Sequence, residues 1–226
     1  MRLQIISLAA LVAIGSTFQA ARANLILDGS FETPVVGAGS YVDYTPGPMG
    51  PWTVVGNDVL LINTTYTEPS NGILAFNAED GNQSLDLTGA GNTSPNDGVE
   101  QTITTTPGTQ YVVSFWVGAA LSNKGSGYYS DPATDLLIDG GPATSFKVTP
   151  TVSGYVTWEH FTSTFTAAGA STTIEFQNGT STPTALAGLD NVSVDAVPLP
   201  VAAYGGMALI AGLVVTRKLP RLSRSI

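Results

Sequence analysis

His160 is the only histidine in the chain and stands in Trp158-Glu-His-Phe161. An imidazole can serve as a general base or a metal ligand, but no G-x-S-x-G turn or H-E-x-x-H pair accompanies this one. It is expected to be an ordinary strand residue. Paired carboxylates, the machinery of glycoside hydrolysis, could be drawn from Glu79-Asp80 or from Asp131 and Asp135. Acids in Gly/Asn/Ser-rich stretches more often serve as solvated turn residues. The chain has no cysteine, hence no thiolate nucleophile and no disulfide framework. No catalytic residue is assigned, and the chain is expected not to be an enzyme.

Binding is the chemistry that the remaining side chains support better. An aromatic ring covers the apolar face of a sugar while neighbouring Asn, Gln and Asp meet its hydroxyls. Two polar stretches have that composition: Ser122 to Asp131, which carries Tyr128 and Tyr129, and Gly39 to Tyr44, which carries Tyr41 and Tyr44. These four tyrosines are the candidate carbohydrate-contacting residues. The alternative is that they cap the core or shield a strand edge. Trp52, Trp116 and Trp158 each sit in or beside an apolar run and are expected in or near the core.

Charge narrows the partners. All 17 acids lie between Asp28 and Asp195, and only Lys124 and Lys147 oppose them there. A surface this acidic repels phosphate backbones, which excludes nucleic acid as a partner. Charged residues make up only 11% of the chain, against roughly 25% in typical globular domains. A neutral polymer or a divalent cation suits such a surface.

The elements that must position these residues are strands. Short β-branched and aromatic runs recur between Gly, Pro, Asn and Asp, with no stretch of helical period between Asn24 and Asp195. The expected strands are Asn24–Leu27, Trp52–Val55, Val59–Ile62, Ser84–Leu87, Glu100–Thr104, Gln110–Val117, Asp135–Ile138, Thr144–Val148, Thr157–Phe165, Thr172–Gln177 and Asp190–Asp195. Alternation puts Tyr111, Val113, Phe115 and Val117 on one face, and sets Trp158, His160, Thr162 and Thr164 against Phe161 and Phe165. Many short strands without helices predict an all-β, antiparallel sandwich of the jelly-roll kind spanning residues 24–196.

Several motifs occur in a fixed order: Asn24-Leu-Ile-Leu-Asp-Gly-Ser-Phe-Glu32, Trp52, Asp80-Gly-Asn-Gln-Ser-Leu-Asp-Leu87, Glu100-Gln101, Pro107-Gly108, Tyr111 to Phe115, and Gly188-Leu-Asp-Asn-Val-Ser-Val194. The ordered set resembles the galactose-binding-like jelly rolls of DUF642 and choice-of-anchor bacterial surface proteins, and more distantly carbohydrate-binding modules of the family 4/9 type. The resemblance implies that the first and last strands meet, bringing Glu32 near Asp190, where related modules hold a structural calcium through carboxylate and carbonyl oxygens. The open alternative is that Glu32 and Asp190 accept hydrogen bonds from loop amides.

The two ends are read apart from the domain. Residues 1–23 carry Arg2, an apolar run and Ala21-Arg22-Ala23, the pattern of a cleaved signal peptide helix. At the other end Val197-Pro198-Leu199-Pro200 precedes an uncharged apolar run, 201–216, and a basic tail, 217–226, with Arg217, Lys218, Arg221 and Arg224. As a helix the run would span roughly 24 Å, short of the ~30 Å hydrocarbon core. Its flanking bases place the tail inside and the acidic domain outside. This tripartite order resembles the PEP-CTERM sorting signals of the VPLPA type, with Val201 where that type usually has Ala. The resemblance implies an exosortase-type partner in a Gram-negative bacterium, transient insertion in the inner membrane, cleavage near the proline motif, and delivery to the cell surface or extracellular matrix. A retained transmembrane anchor is the alternative. Taken together, these readings predict an exported, non-catalytic surface protein that binds or embeds in extracellular polysaccharide, or a structural, adhesive envelope protein without sugar recognition.

Overall fold

The computed structural model describes residues 23–69, 74–90, 96–123, 128, 131–180 and 185–198. The signal peptide, most of the C-terminal segment (including Leu199, Pro200 and the 201–216 run) and Tyr129 lie outside the described residues. Among the described residues there is no α-helix, and no helix long and apolar enough to cross a membrane.

The chain forms an antiparallel β-sandwich of the jelly-roll kind. One sheet runs in the order β1 (Tyr41–Tyr44), β4 (Val59–Asn63), β7 (Gln83–Asp86), β14 (Gly188–Ala196), β9 (Gln110–Ala120) and β12 (Val156–Thr166). The other runs β11 (Thr144–Lys147), β10 (Ala133–Ile138), β13 (Ser171–Asn178), β8 (Gly98–Thr104), β3 (Trp52–Val55) and β2 (Gly47–Met49). A two-stranded hairpin, β5 (Thr67–Glu68) with β6 (Leu74–Ala75), stands apart from both.

Period-two alternation builds the space between the sheets. On β9, Tyr111, Val113, Phe115, Val117 and Ala119 are buried in the main core, whereas Ser114 and Trp116 point to the outer face. The Phe115 ring meets Phe176 at 4.9 Å and Phe146 at 5.0 Å, joining its own sheet to the opposite one. Trp52 is 1% exposed and packs on Phe31, while its indole N–H donates to the Asp28 carbonyl at 3.0 Å.

The strand β4 is buried at all five positions. Val59 and Leu61 enter the main core, and Leu60 and Ile62 join a second apolar cluster with Leu74, Phe76, Ala120, Val156 and Leu186. This second cluster lies on the outer face of the first sheet, beneath the hairpin. An outer face that is apolar must be covered, and the β5–β6 hairpin and its flanks cover it.

The expected strand Asn24–Leu27 is not one. Its backbone runs beside β14, with Leu25 N–H donating to Val194 O at 2.9 Å and Val192 N–H to Gly29 O at 2.8 Å. The Asn24 side chain takes the N–H groups of Ile26 and Val194 that a regular ladder would hand to carbonyls. A Cβ at Gly29 would fall on the Val192 carbonyl, so only glycine permits this approach. The first and last segments of the domain are therefore adjacent, as the jelly-roll reading expects.

Candidate functional site

The outer face of the first sheet carries an open cleft lined by Tyr41, Leu60, Ile62, Tyr66, Glu68, Phe76, Gly89, Ala90 and Tyr128. Leu60 and Ile62 form its floor because β4 alternates. Tyr41 opens β1 directly opposite Ile62 in the ladder. The chain then turns out of β4: Asn63 Oδ1 accepts from the N–H and hydroxyl of Thr65, and Tyr66 N–H donates to Asn63 O at 2.8 Å. Phe76 is set beside Tyr66 by its own N–H, which donates to Tyr66 O at 3.2 Å.

Four rings line the cleft in series. Tyr41 meets Tyr66 edge-on at 5.1 Å, Tyr66 meets Phe76 at 5.4 Å, and Phe76 meets Tyr128 edge-on at 5.9 Å. Tyr128 is set in the wall by its carbonyl, which accepts from Ser122 N–H at 2.8 Å. The Tyr66 hydroxyl donates to Glu68 Oε2 at 2.9 Å. Burial, and then the Glu68 carboxylate, push that phenol up to about 12. Rings beside one carboxylate and exposed backbone make a surface that can cover an apolar sugar face and accept from its hydroxyls.

Trp158 braces this side of the sheet. Its ring lies over Gly118 and Gly188, where a Cβ would come within 2.7 Å and 3.0 Å of ring carbons. Its indole N–H donates to Asn77 O at 2.8 Å, and Asn77 Oδ1 accepts from Val156 N–H at 3.0 Å. Asn77 thus ties the segment carrying Phe76 to β12.

Of the four tyrosines expected from sequence, the fold brings Tyr41 and Tyr128 into one cleft. Tyr44 is separated from them: three positions from Tyr41 on one strand, it faces the opposite side and packs on the main core. Tyr66, Phe76 and Glu68 were not anticipated. Their signal was the unbroken apolar run Val59 to Ile62, which shows that both faces of β4 are covered without naming what covers them.

Trp116 departs from its expected core position. It stands half-buried on the outer face, 5.1 Å from the His160 ring, while His160 Nε2 and Ser114 Oγ are 2.7 Å apart. Among the described residues no carboxylate is bonded to His160, so this Ser–His contact lacks the orienting acid of a hydrolase triad.

Glu32 and Asp190 do meet on one loop, from opposite ends. Asp190 Oδ2 accepts from Glu79 N–H at 2.8 Å and Asp80 N–H at 3.1 Å; Glu32 Oε1 accepts from Asn82 N–H at 2.6 Å and Gln83 N–H at 3.0 Å. Asp190 Oδ1 accepts from Asn191 N–H at 2.7 Å, and Asn191 Nδ2 in turn donates to Glu79 at 2.9 Å. Amide donors therefore point at the oxygens that a calcium would need. Among the described residues no group of three or more metal-ligating side chains occurs. This arrangement fits loop clamping rather than a cation cage.

Asp86 and Asp190 are both fully buried on this sheet. Asp86 Oδ1 accepts from the N–H and hydroxyl of Thr88, and its Oδ2 has no partner among the described residues. Burial pushes each carboxyl up to about 7, outweighing the hydrogen bonds that pull the other way. A carboxyl raised in the folded state contributes stability below its unfolded pKa of about 4, and that contribution is lost as pH rises through the folded value. Melting should therefore occur several degrees higher at about pH 5 than at about pH 8. Asp86→Asn, which keeps the oxygen facing Thr88, should flatten the profile. A profile of equal slope in the variant would contradict the assignment.

Residues 23–184 match the sequence profile of the carbohydrate binding domain. No curated protein sequence matches the chain at a significant level. Among solved structures, TmCBM61 in complex with beta-1,4-galactotriose is similar at 18% identity and a TM-score of 0.42, covering 77% of this chain and 99% of that one. The CBM22-1 xylan-binding domain of Xyn10C from Paenibacillus barcinonensis is similar at 16% identity and a TM-score of 0.41, covering 73% and 99%. A CBM4 structure is similar at 19% identity and a TM-score of 0.37, covering 76% and 99%.

Proposed function

The chain belongs to the carbohydrate binding domain family, and from that premise we propose that it is a non-catalytic, exported protein that holds extracellular polysaccharide in the cleft on its first sheet. The observation that carries the reading is the row of four rings, Tyr41, Tyr66, Phe76 and Tyr128, beside Glu68 in one open cleft. Rings supply contact area at low entropic cost.

Export rests on the two terminal signals in the sequence. The first would start the mature chain at Asn24, and the VPLP segment would be cut by an exosortase-type enzyme after transient insertion in the inner membrane, releasing the domain to the surface or matrix. Val197 N–H still donates to Gln110 O at 2.8 Å, extending the β14–β9 ladder, and Pro198, with no N–H to give, ends it. The motif therefore follows the last strand without a spacer, so cutting near Pro200 would leave the sandwich whole.

A glycan array together with a pull-down by the producing cell's own exopolysaccharide tests the binding. Retention of the protein on at least one polysaccharide is expected. Blank results in both would leave the structural, adhesive role in its place.

A further inference from the structure

The outer edges of the two sheets are not alike. β1 and β11 have four residues each, with Lys147 in β11, and β2 has three, with Pro48 at its centre. Shortness, lysine and proline are devices that keep an edge from pairing with another chain. β12 has none of them. It runs eleven residues without Pro, Lys or Arg, in unbroken register with β9, and among the described residues no strand pairs its other side.

Hydrogen bonds at the ends of β12 show which backbone groups that side carries. Val156 stands opposite Ala120 in the ladder, yet its N–H donates to Asn77 Oδ1 at 3.0 Å and its carbonyl accepts from Asn77 Nδ2 at 3.2 Å. A side-chain amide thus occupies the place of a neighbouring strand. Val156 therefore turns its N–H and C=O away from β9, and in an antiparallel ladder every second residue does the same. Ala167, in the opposite phase, donates its N–H back to Thr109 O on the β9 side at 3.0 Å. The N–H and C=O of Trp158, His160, Thr162, Thr164 and Thr166 consequently point outward beyond Asn77, and the last four of these residues are exposed.

We propose that this edge pairs with the same edge of a second copy of the chain, antiparallel about a two-fold axis at Thr162. The open stretch, 158–166, sets the centre: pairing on Thr162 uses all of it and leaves Asn77 clear. Thr162 then faces its own copy, a favourable cross-strand pair, and His160 faces Thr164 of the second copy. Charge favours the same register. Two domains this acidic repel one another, but Glu159 is the sole acid of β12, and here it faces Phe165 of the second copy rather than another carboxylate. A closed two-fold uses the edge once on each copy and stops at a dimer. Such a dimer carries two clefts and can join two polysaccharide strands, a consequence that rests on the polysaccharide reading.

Sedimentation equilibrium of the full chain over a wide range of concentration should show monomer passing to dimer. Thr162→Pro removes a central donor that gives β9 nothing, so it should weaken the dimer at least about tenfold and leave melting of the dilute monomer nearly unchanged. A second pair of variants reads the register directly. Facing residues of such a pair lie about 5.5 Å apart between Cα atoms, within disulfide reach. In this cysteine-free chain Thr162→Cys should therefore cross-link on mild oxidation, and Thr164→Cys should not. Equal cross-linking of the two, or a dimer untouched by Thr162→Pro, would overturn the pairing. A chain monomeric at every concentration would overturn it too; β12 amides protected from exchange only when other matrix proteins are added would give the edge to one of those. None of these results depends on sugar binding, so blank glycan arrays would leave the dimer standing.

Discussion

Tyr66→Ala should reduce polysaccharide affinity by more than about 30-fold, the equivalent of roughly 2 kcal/mol and the mark of a central anchor. The ring touches Tyr41 at 5.1 Å and Phe76 at 5.4 Å, and its hydroxyl fixes Glu68. Removing it opens the middle of the row and frees both neighbours to move. Tyr66→Phe separates the ring from the hydroxyl and should keep neutral-chain affinity within a few-fold. Tyr41→Ala guards against misreading a folding defect: Tyr41 is 43% exposed, so its loss should weaken binding while leaving melting nearly unchanged. Wild-type affinity in Tyr66→Ala would show that the polysaccharide binds elsewhere.

Phe115→Ala should cost about 3–5 kcal/mol of folding stability. Phe115 is fully buried in the middle of β9 and meets rings on three other strands: Phe176 on β13, Phe146 on β11 and Phe161 on β12. Two of those strands belong to the opposite sheet, so the cavity would open across the layer that holds the sandwich together. Chemical denaturation measures the loss through the shift in midpoint. A cost under about 1 kcal/mol would mean that the core repacks around the gap.

The central strands were legible because two-fold alternation and burial coincide there. The expectation for Trp52–Val55 matches β3, and those for Gln110–Val117 and Thr157–Phe165 fall inside β9 and β12. The strands the sequence hid are edges or fragments. β2 is Gly47-Pro48-Met49, which reads as a turn because proline cannot donate to a ladder, yet an edge strand tolerates it. β5 and β6 have two residues each, too short for any period to show. β1 is mostly exposed and lies at an edge, so Tyr-Val-Asp-Tyr carried no apolar stripe; recognising it would have separated Tyr41 from Tyr44 at once.

The site was half legible for the same reason. Tyr41 and Tyr128 announce themselves as aromatics in polar surroundings, but 87 positions apart nothing in the sequence joins them. What joins them is Phe76 and Tyr66, placed by a hairpin whose position depends on tertiary contacts such as Asn77 with Val156 and Ala75 N–H with Gly154 O. The pairing of Glu32 with Asp190 could be anticipated from a resemblance, but not the direction of the bonds: both carboxylates accept from the amides of residues 79–83.

A backbone-amide NMR titration of the isotope-labelled protein with the producing cell's exopolysaccharide tests the central claim most directly. Shifts should concentrate at Tyr41, Leu60 to Ile62, Tyr66 to Glu68, Phe76, Gly89, Ala90 and Tyr128, and should vanish in Tyr66→Ala. Saturable shifts centred on the opposite sheet, or none at a polysaccharide concentration that retains the protein in a pull-down, would contradict it.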